Sequence, residues 1–210
     1  RRSSDLIKLH TVAFRIPNPL VGQGLASSRR VDPNHESQIY CRATLLDSIA
    51  TEADITLACE KDSLDADRRI EFRRKYLEER TQPGRFRIRI AMESGFSPKS
   101  IDPAHWAMYI MNARGIMIEP AQIKTTPAIS KKDSIYSSFH RMSLPRNLIN
   151  GEIILYFDQV TFFKENLLGE ENPFIALEMA HEKETVARVV WRNAGAIEKK
   201  DGGKDVRTQR

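Results

Sequence analysis

Between residues 85 and 191 the chain divides into short runs in which apolar side chains recur at every second position. That spacing places them on one face of a β-strand, and it constrains the fold more than any other feature of the sequence. Residues 85–91 alternate basic and apolar side chains, and residues 106–111 are apolar on both faces, as a strand buried on both sides is. Asn112-Ala113-Arg114-Gly115 turns the chain into residues 116–123, and residues 136–144 run up to Pro145. Asn150-Gly151 precedes residues 152–163, and Asn172-Pro173 precedes residues 174–180, where Ile175, Leu177 and Met179 share a face. Residues 185–191 close the series with Ala187, Val189 and Trp191 turned inward. Strands recurring at roughly ten-residue intervals, with no helix alternating between them, exclude βαβ units. They predict a mainly β chain folded as two antiparallel sheets packed in a sandwich.

The N-terminal part is less regular. Residues 6–16 read as a first strand ending at Pro17, and the prolines and glycines that follow predict a long loop over residues 17–37. Residues 39–46 and 54–60 read as a hairpin, with Cys41, Ala43 and Leu45 on one face and Ile55, Leu57 and Cys59 on its counterpart. The pattern is symmetric about Ala50 and sets Cys41 opposite Cys59. In an exported protein those two can bridge; two buried free thiols are the alternative. One inserted helix is expected over residues 65–80. Asp65 can cap it, Asp67 favours its first turn, and Glu71–Lys75, Arg74–Glu78 and Lys75–Glu79 stand at i,i+4 spacing. Its apolar stripe is Ile70, Phe72, Tyr76 and Leu77, and Pro83-Gly84 stops it. Residues 1–194 are thus expected to form a single domain, and the aperiodic stretch 195–210 a disordered tail.

Composition narrows the function classes. A chain of 210 residues that is 40% hydrophobic can bury a full core. Its net charge of +5 comes from 33 basic and 28 acidic residues interspersed along the chain, without the concentrated patch of a nucleic-acid binder, so no nucleic-acid partner is expected. The longest apolar run, residues 153–163, is interrupted by Tyr156, Asp158 and Gln159. It falls short of the roughly 20 residues a membrane-spanning helix needs. Two cysteines are too few for a disulfide scaffold or a four-cysteine zinc site. The histidines at 10, 35, 105, 140 and 181 lack metal-ligand spacing, and Asp102-Pro103-Ala104-His105-Trp106 reads as a turn opening a strand. Gly22-Gln23-Gly24 lacks the third glycine of a phosphate-binding loop. No catalytic residue, metal ligand or cofactor is therefore assigned. No signal peptide is visible, but the chain opens at Arg1 rather than at a methionine, so an upstream segment is expected to have been removed, which leaves room for a lost targeting segment.

Arg85, Arg87 and Arg89 form the sharpest electrostatic feature. They share one strand face while Phe86, Ile88 and Ile90 share the other, which makes them a candidate anion-binding face. Under the plainer reading the face is solvated or covered by the preceding helix, with Glu71, Glu78 and Glu79 neutralising it.

The stretch from Asp54 through Thr125 resembles uncharacterised bacterial envelope proteins, often lipoproteins, with an immunoglobulin-like sandwich. The resemblance rests on the hairpin, the Phe72-Arg73-Arg74-Lys75-Tyr76 helix, Arg85-Phe86-Arg87-Ile88, and Ile101-Asp102-Pro103-Ala104-His105-Trp106 with Gly115 and Pro120. It implies an immunoglobulin-like fold, export, and a lipid anchor upstream of Arg1 as the sole means of membrane association. The expected function is a non-enzymatic envelope module for binding or assembly, whose partner is a protein or an anionic envelope component. The alternative is an enzyme, or an enzyme's accessory domain, acting on cell-wall or surface polysaccharide. A periplasmic or envelope location is expected, with the cytoplasm as the alternative.

Overall fold

The computed structural model of the protein describes residues 2–20, 38–94, 98–137, 142–169 and 171–192. The expected long loop beyond residue 20 and the expected tail lie outside the described residues, as do Gly22-Gln23-Gly24, His35 and His140. Among the described residues the chain is mainly β. The elements are α1 (Ser3–Leu9), β1 (Thr11–Pro17), β2 (Gln38–Leu46), α2 (Ser48–Lys61), α3 (Ala66–Arg80) and β3 (Arg85–Ser94). Two short 3-10 turns, Pro98–Ile101 and Pro103–His105, lead to β4 (Ala107–Asn112), β5 (Met117–Ile118), β6 (Gln122–Ser137), β7 (Met142–Asp158), β8 (Phe174–His181) and β9 (Glu184–Arg192).

Every strand pairing is antiparallel. One sheet has the order β1-β2-β3-β7-β6, the other β5-β4-β8-β9. The alternation read from the sequence decides which side chains meet between them. Ile39, Cys41, Ala43, Phe86, Ile88, Ile90, Ile153, Leu155 and Phe157 of the first sheet share one buried cluster with Met108, Ile110, Ile175, Leu177, Met179, Val189 and Trp191 of the second. This is a two-sheet sandwich with a single core. Its two sides are joined at His10, whose carbonyl accepts hydrogen bonds from the Leu45 amide at 3.0 Å and from the Trp191 indole at 2.9 Å.

Several expectations are corrected. Residues 54–60 are not a strand: they belong to α2, so the hairpin with residues 39–46 does not exist, and the described residues form three α-helices where one was expected. Thr51, Ile55 and Cys59 are buried at i,i+4 spacing, and Asp47 caps the helix by accepting the Ala50 amide at 2.7 Å. The apolar alternation at 55, 57 and 59 fits a strand equally well, but the cap and the burial follow the helical period. The supposed first strand likewise divides into α1 and β1. Residues 116–123 divide between the sheets, with β5 in the second and β6 in the first. Finally, Asn150-Gly151 does not turn the chain; both residues lie inside β7, paired with Glu93 and Met92. A Cβ at Gly151 would sit 2.3 Å from the far end of the Ile101 side chain, which would have to shift to admit it. Pro145 does not end a strand either. It lies in β7 beyond the last β3 pair, Ser94 with Ile149, where no described strand pairs with β7 on that side and a proline is tolerated. Pro127 falls where the β6–β7 register slips, between Thr126 and Ile129.

The other expected helix forms with its cap: the Asp65 carboxylate accepts the Arg68 amide at 2.9 Å, and α3 runs to Arg80. Replacing Asp47 by alanine should lower stability by about 1 kcal/mol in urea unfolding, and Asp47→Asn should recover most of the loss. No effect of Asp47→Ala would contradict a helix beginning at Ser48.

Candidate functional site

Arg85, Arg87 and Arg89 do share the outer face of β3, and α2 and α3 lie over them. Arg89 makes a two-pronged hydrogen bond to Asp54 of α2, both distances 2.9 Å, and comes within 4.0 Å of Glu152 on β7. Arg87 is 3% exposed; it donates to the Thr51 hydroxyl at 3.1 Å and its guanidinium lies 5.6 Å from the centre of the Tyr76 ring. Arg80 approaches the same ring at 5.1 Å. Tyr76, the one buried residue of α3, donates its hydroxyl to Asp54 at 2.5 Å. Arg85 pairs with Asp158 at 2.7 Å and also donates to Gln82. The row is therefore held by internal partners, and the carboxylates that hold it are not those of the preceding helix. Glu78 and Glu79 pair instead with Arg74 and Lys75 on the exposed side of α3.

The helices cover only one end of this sheet face. Among the described residues, no helix covers the two rows of side chains at the other. Register places Ala13, Arg42, Ala91, Glu152 and Thr126 side by side across the five strands, and Arg15, Tyr40, Glu93, Asn150 and Ile129 in the next row. Together they line a groove of about 870 Å³. Ala13 and Ala91 are small, so the floor is low beside Arg42. The Arg15 guanidinium lies 4.7 Å from the Tyr40 ring centre. Among the described residues neither Arg15 nor Arg42 has a carboxylate within ion-pair distance. The groove is thus polarised, with guanidinium groups on the β1–β2 side and the carboxylates of Glu93 and Glu152 on the β3–β7 side. Sequence reasoning missed the site. The available signal was a small residue at two outward positions, Ala13 and Ala91, each beside an arginine in the sheet.

The cysteine pair is corrected as well. Cys41 faces the core between the sheets, whereas Cys59 on α2 belongs to a separate apolar cluster with Ile55 and Tyr76 outside that core. Both are free thiols. Burial pushes the Cys41 thiol up to about 12, so it stays protonated at neutral pH. Asp102 accepts the Ala104 amide at 3.0 Å and caps the second 3-10 turn. His105 closes that turn, its Nε2 3.0 Å from the Lys99 carbonyl, and its ring lies 6.5 Å from that of His181. Among the described residues no group of three or more His, Cys, Asp or Glu side chains is placed to hold a metal ion, and no helix is long and apolar enough to cross a membrane. No known family model matches the chain, and no curated protein matches it in sequence.

Two outcomes follow from the helix-to-sheet contacts. Asp54→Ala leaves the largely covered Arg89 without its partner and should destabilise the protein by about 3 kcal/mol, whereas Asp54→Leu/Arg89→Leu should recover much of that loss. An additive double variant would show that the two groups act separately. Burial, and then the bond to Asp54, raise the Tyr76 hydroxyl above its ordinary value. The folded state therefore holds this proton where the unfolded chain has begun to lose it. The stabilisation is complete below about pH 10 and declines as the pH rises past it. In urea titrations from pH 8 to 11, Tyr76→Phe should flatten that decline.

Proposed function

We propose that this chain is a non-enzymatic binding or assembly module of the cell envelope, an immunoglobulin-like sandwich in its two-layer architecture. It takes a polar ligand in the groove on the outer face of the five-stranded sheet. The observation that carries this reading is the polarised groove: Arg15 and Arg42 on one side, without carboxylate partners among the described residues, Glu93 and Glu152 on the other, and a low floor at Ala13 and Ala91. Arginine's planar fork suits a carboxylate or phosphate, and the opposite wall suits a group that donates hydrogen bonds. A ligand bearing both within a short span, such as a peptide or an acidic polysaccharide, matches that pattern. Placement on a sheet makes the site rigid, since every groove side chain is fixed by strand register. The envelope location rests on the resemblance of residues 54–125, and fractionation of cells expressing the full gene tests it.

Nuclear magnetic resonance titration of the labelled protein with trialanine and with oligogalacturonate tests the groove. The amides of Arg42, Ala91 and Glu152 should shift with at least one probe. Arg42→Glu should weaken that binding about tenfold or more, the size of one lost charge-assisted hydrogen bond. Arg74→Glu, on the exposed side of α3, should leave it unchanged. Equal losses from both substitutions, or no shift in the groove with either probe, would overturn the assignment.

A further inference from the structure

The segment between β7 and β8 begins with a closed loop whose tip is apolar and fully outside the fold. Phe162 is 95% exposed, Phe163 70% and Val160 52%. Leu167, seven residues beyond Val160, is 1% exposed in the core, so the base of the loop is anchored while its tip projects. The loop is braced by backbone bonds from Leu167 to Gln159 and from Thr161 to Glu165, each 2.9 Å, with Val160 bridged to Asn166. A turn across Thr161–Lys164 closes it, with Lys164 in the left-handed region at φ 61°. Glu165 fastens the loop to the β4–β5 turn through Asn112 at 3.2 Å and through Arg114, and Gln159 fastens it to Gly84 at 2.8 Å. The two rings rest edge to face on one another, 5.6 Å apart. A braced turn that holds two aromatic rings in water sacrifices the burial they would otherwise gain, and calls for a surface that receives them.

We propose that this tip is an interfacial wedge that inserts into the headgroup and upper acyl region of a lipid bilayer. Area argues for lipid over a protein partner. Two phenyl rings and a valine offer about 400–500 Å², well under the roughly 800 Å² per side of a stable protein interface, whereas a bilayer receives a small wedge without a matching partner surface. Charge agrees with it. Lys164 stands at the tip, Glu165 is already neutralised by Arg114, and the whole chain carries +5, so the loop approaches an anionic surface with attraction. Rigidity matters too, because a turn already fixed by its own hydrogen bonds loses little freedom on insertion. The inference does not depend on the groove.

Vesicle sedimentation and fluorescence test the wedge. The wild-type protein should partition onto vesicles of phosphatidylglycerol and phosphatidylcholine at low salt. Phe162→Ser/Phe163→Ser should lower the partition coefficient about a hundredfold, roughly tenfold per ring. Both rings are exposed, so the thermal midpoint of the double variant should match the wild type. Lys164→Asn, which suits the left-handed position, should weaken binding severalfold on anionic vesicles and leave binding to pure phosphatidylcholine unchanged. The two native tryptophans, Trp106 and Trp191, are buried. A Phe162→Trp variant therefore reports on the tip, and its emission should shift to the blue when vesicles are added. Unchanged emission, or equal partitioning of wild type and the double serine variant, would overturn the proposal. So would wild-type self-association that the double variant abolishes in the absence of lipid, because the tip would then dock on protein.

Discussion

The contact on which the outer architecture depends is the pair of hydrogen bonds from Arg89 to Asp54. β3 is paired on both sides, to β2 and to β7, and its two faces have opposite chemistry. Phe86, Ile88, Ile90 and Met92 enter the core, which forces Arg85, Arg87 and Arg89 onto the other face. Water cannot reach Arg87 there, because α2 and α3 cover it. α2 buries Ala50, Ala53, Ile55 and Cys59, but α3 has little apolar grip of its own, since Tyr76 is its one buried residue. Its position is therefore set by Arg89, Asp54, Thr51 and Tyr76, a polar cluster that satisfies the hydrogen bonds of one geometry. Shifting α2 by one turn would strand a guanidinium in a covered site, at several kcal/mol.

That same contact decides where the groove begins. The helices end their cover near the row containing Thr44, Arg89 and Ile154, and no helix among the described residues covers the next two rows. Had the helix pair carried a broad apolar stripe, it would be expected to spread over the whole face, leaving no groove. Its charged exposed side, with Glu52–Arg73, Arg74–Glu78 and Lys75–Glu79 pairs, matches a layer docked by a narrow edge. Burial of Glu152 is only partial, and it touches both regions: it stands 4.0 Å from Arg89 and also forms a wall of the groove.

The strands were legible where one face met the core and the other did not. β3, β4 and β9 turn one face into the core, while β8 is buried on both faces from Ile175 to Met179, and residues 106–111, read as apolar on both faces, form in β4 a strand with one buried face. The helix at 66–80 was legible through Asp65. Residues 54–60 were not, because a short segment with apolar residues at 55, 57 and 59 satisfies both periods, and only Asp47 signalled a helix. The partners of the arginine row were illegible for a different reason. Glu78 lies about 200° around α3 from Tyr76, and Glu71 about 140°, so neither can face the sheet when Tyr76 does. The true partners, Asp54, Glu152 and Asp158, are distant in sequence or sat in a misread element. Phe162 and Phe163 were read as the end of a strand because they continue the apolar character of β7. The chain leaves the sheet at Asp158, and with it the reason for those side chains to be buried.

The groove and the aromatic tip stand at opposite ends of one strand. β3 starts beside the tip, where Gly84 accepts the Gln159 amide, and reaches the groove at Ala91 and Glu93. Seven to nine residues of extended strand separate them, about 25 Å at the rise of a β-strand. Because β3 is paired along its length and packed on both faces, that distance is rigid. A protein seated on a bilayer through Phe162 and Phe163 therefore presents Arg15, Arg42, Glu93 and Glu152 away from the lipid. There, headgroups do not compete for the guanidinium groups, since the separation exceeds the roughly 8–10 Å over which charges are felt through physiological salt. One strand thus sets the reach of the module, with its arginine row fixing the helices midway between the two surfaces.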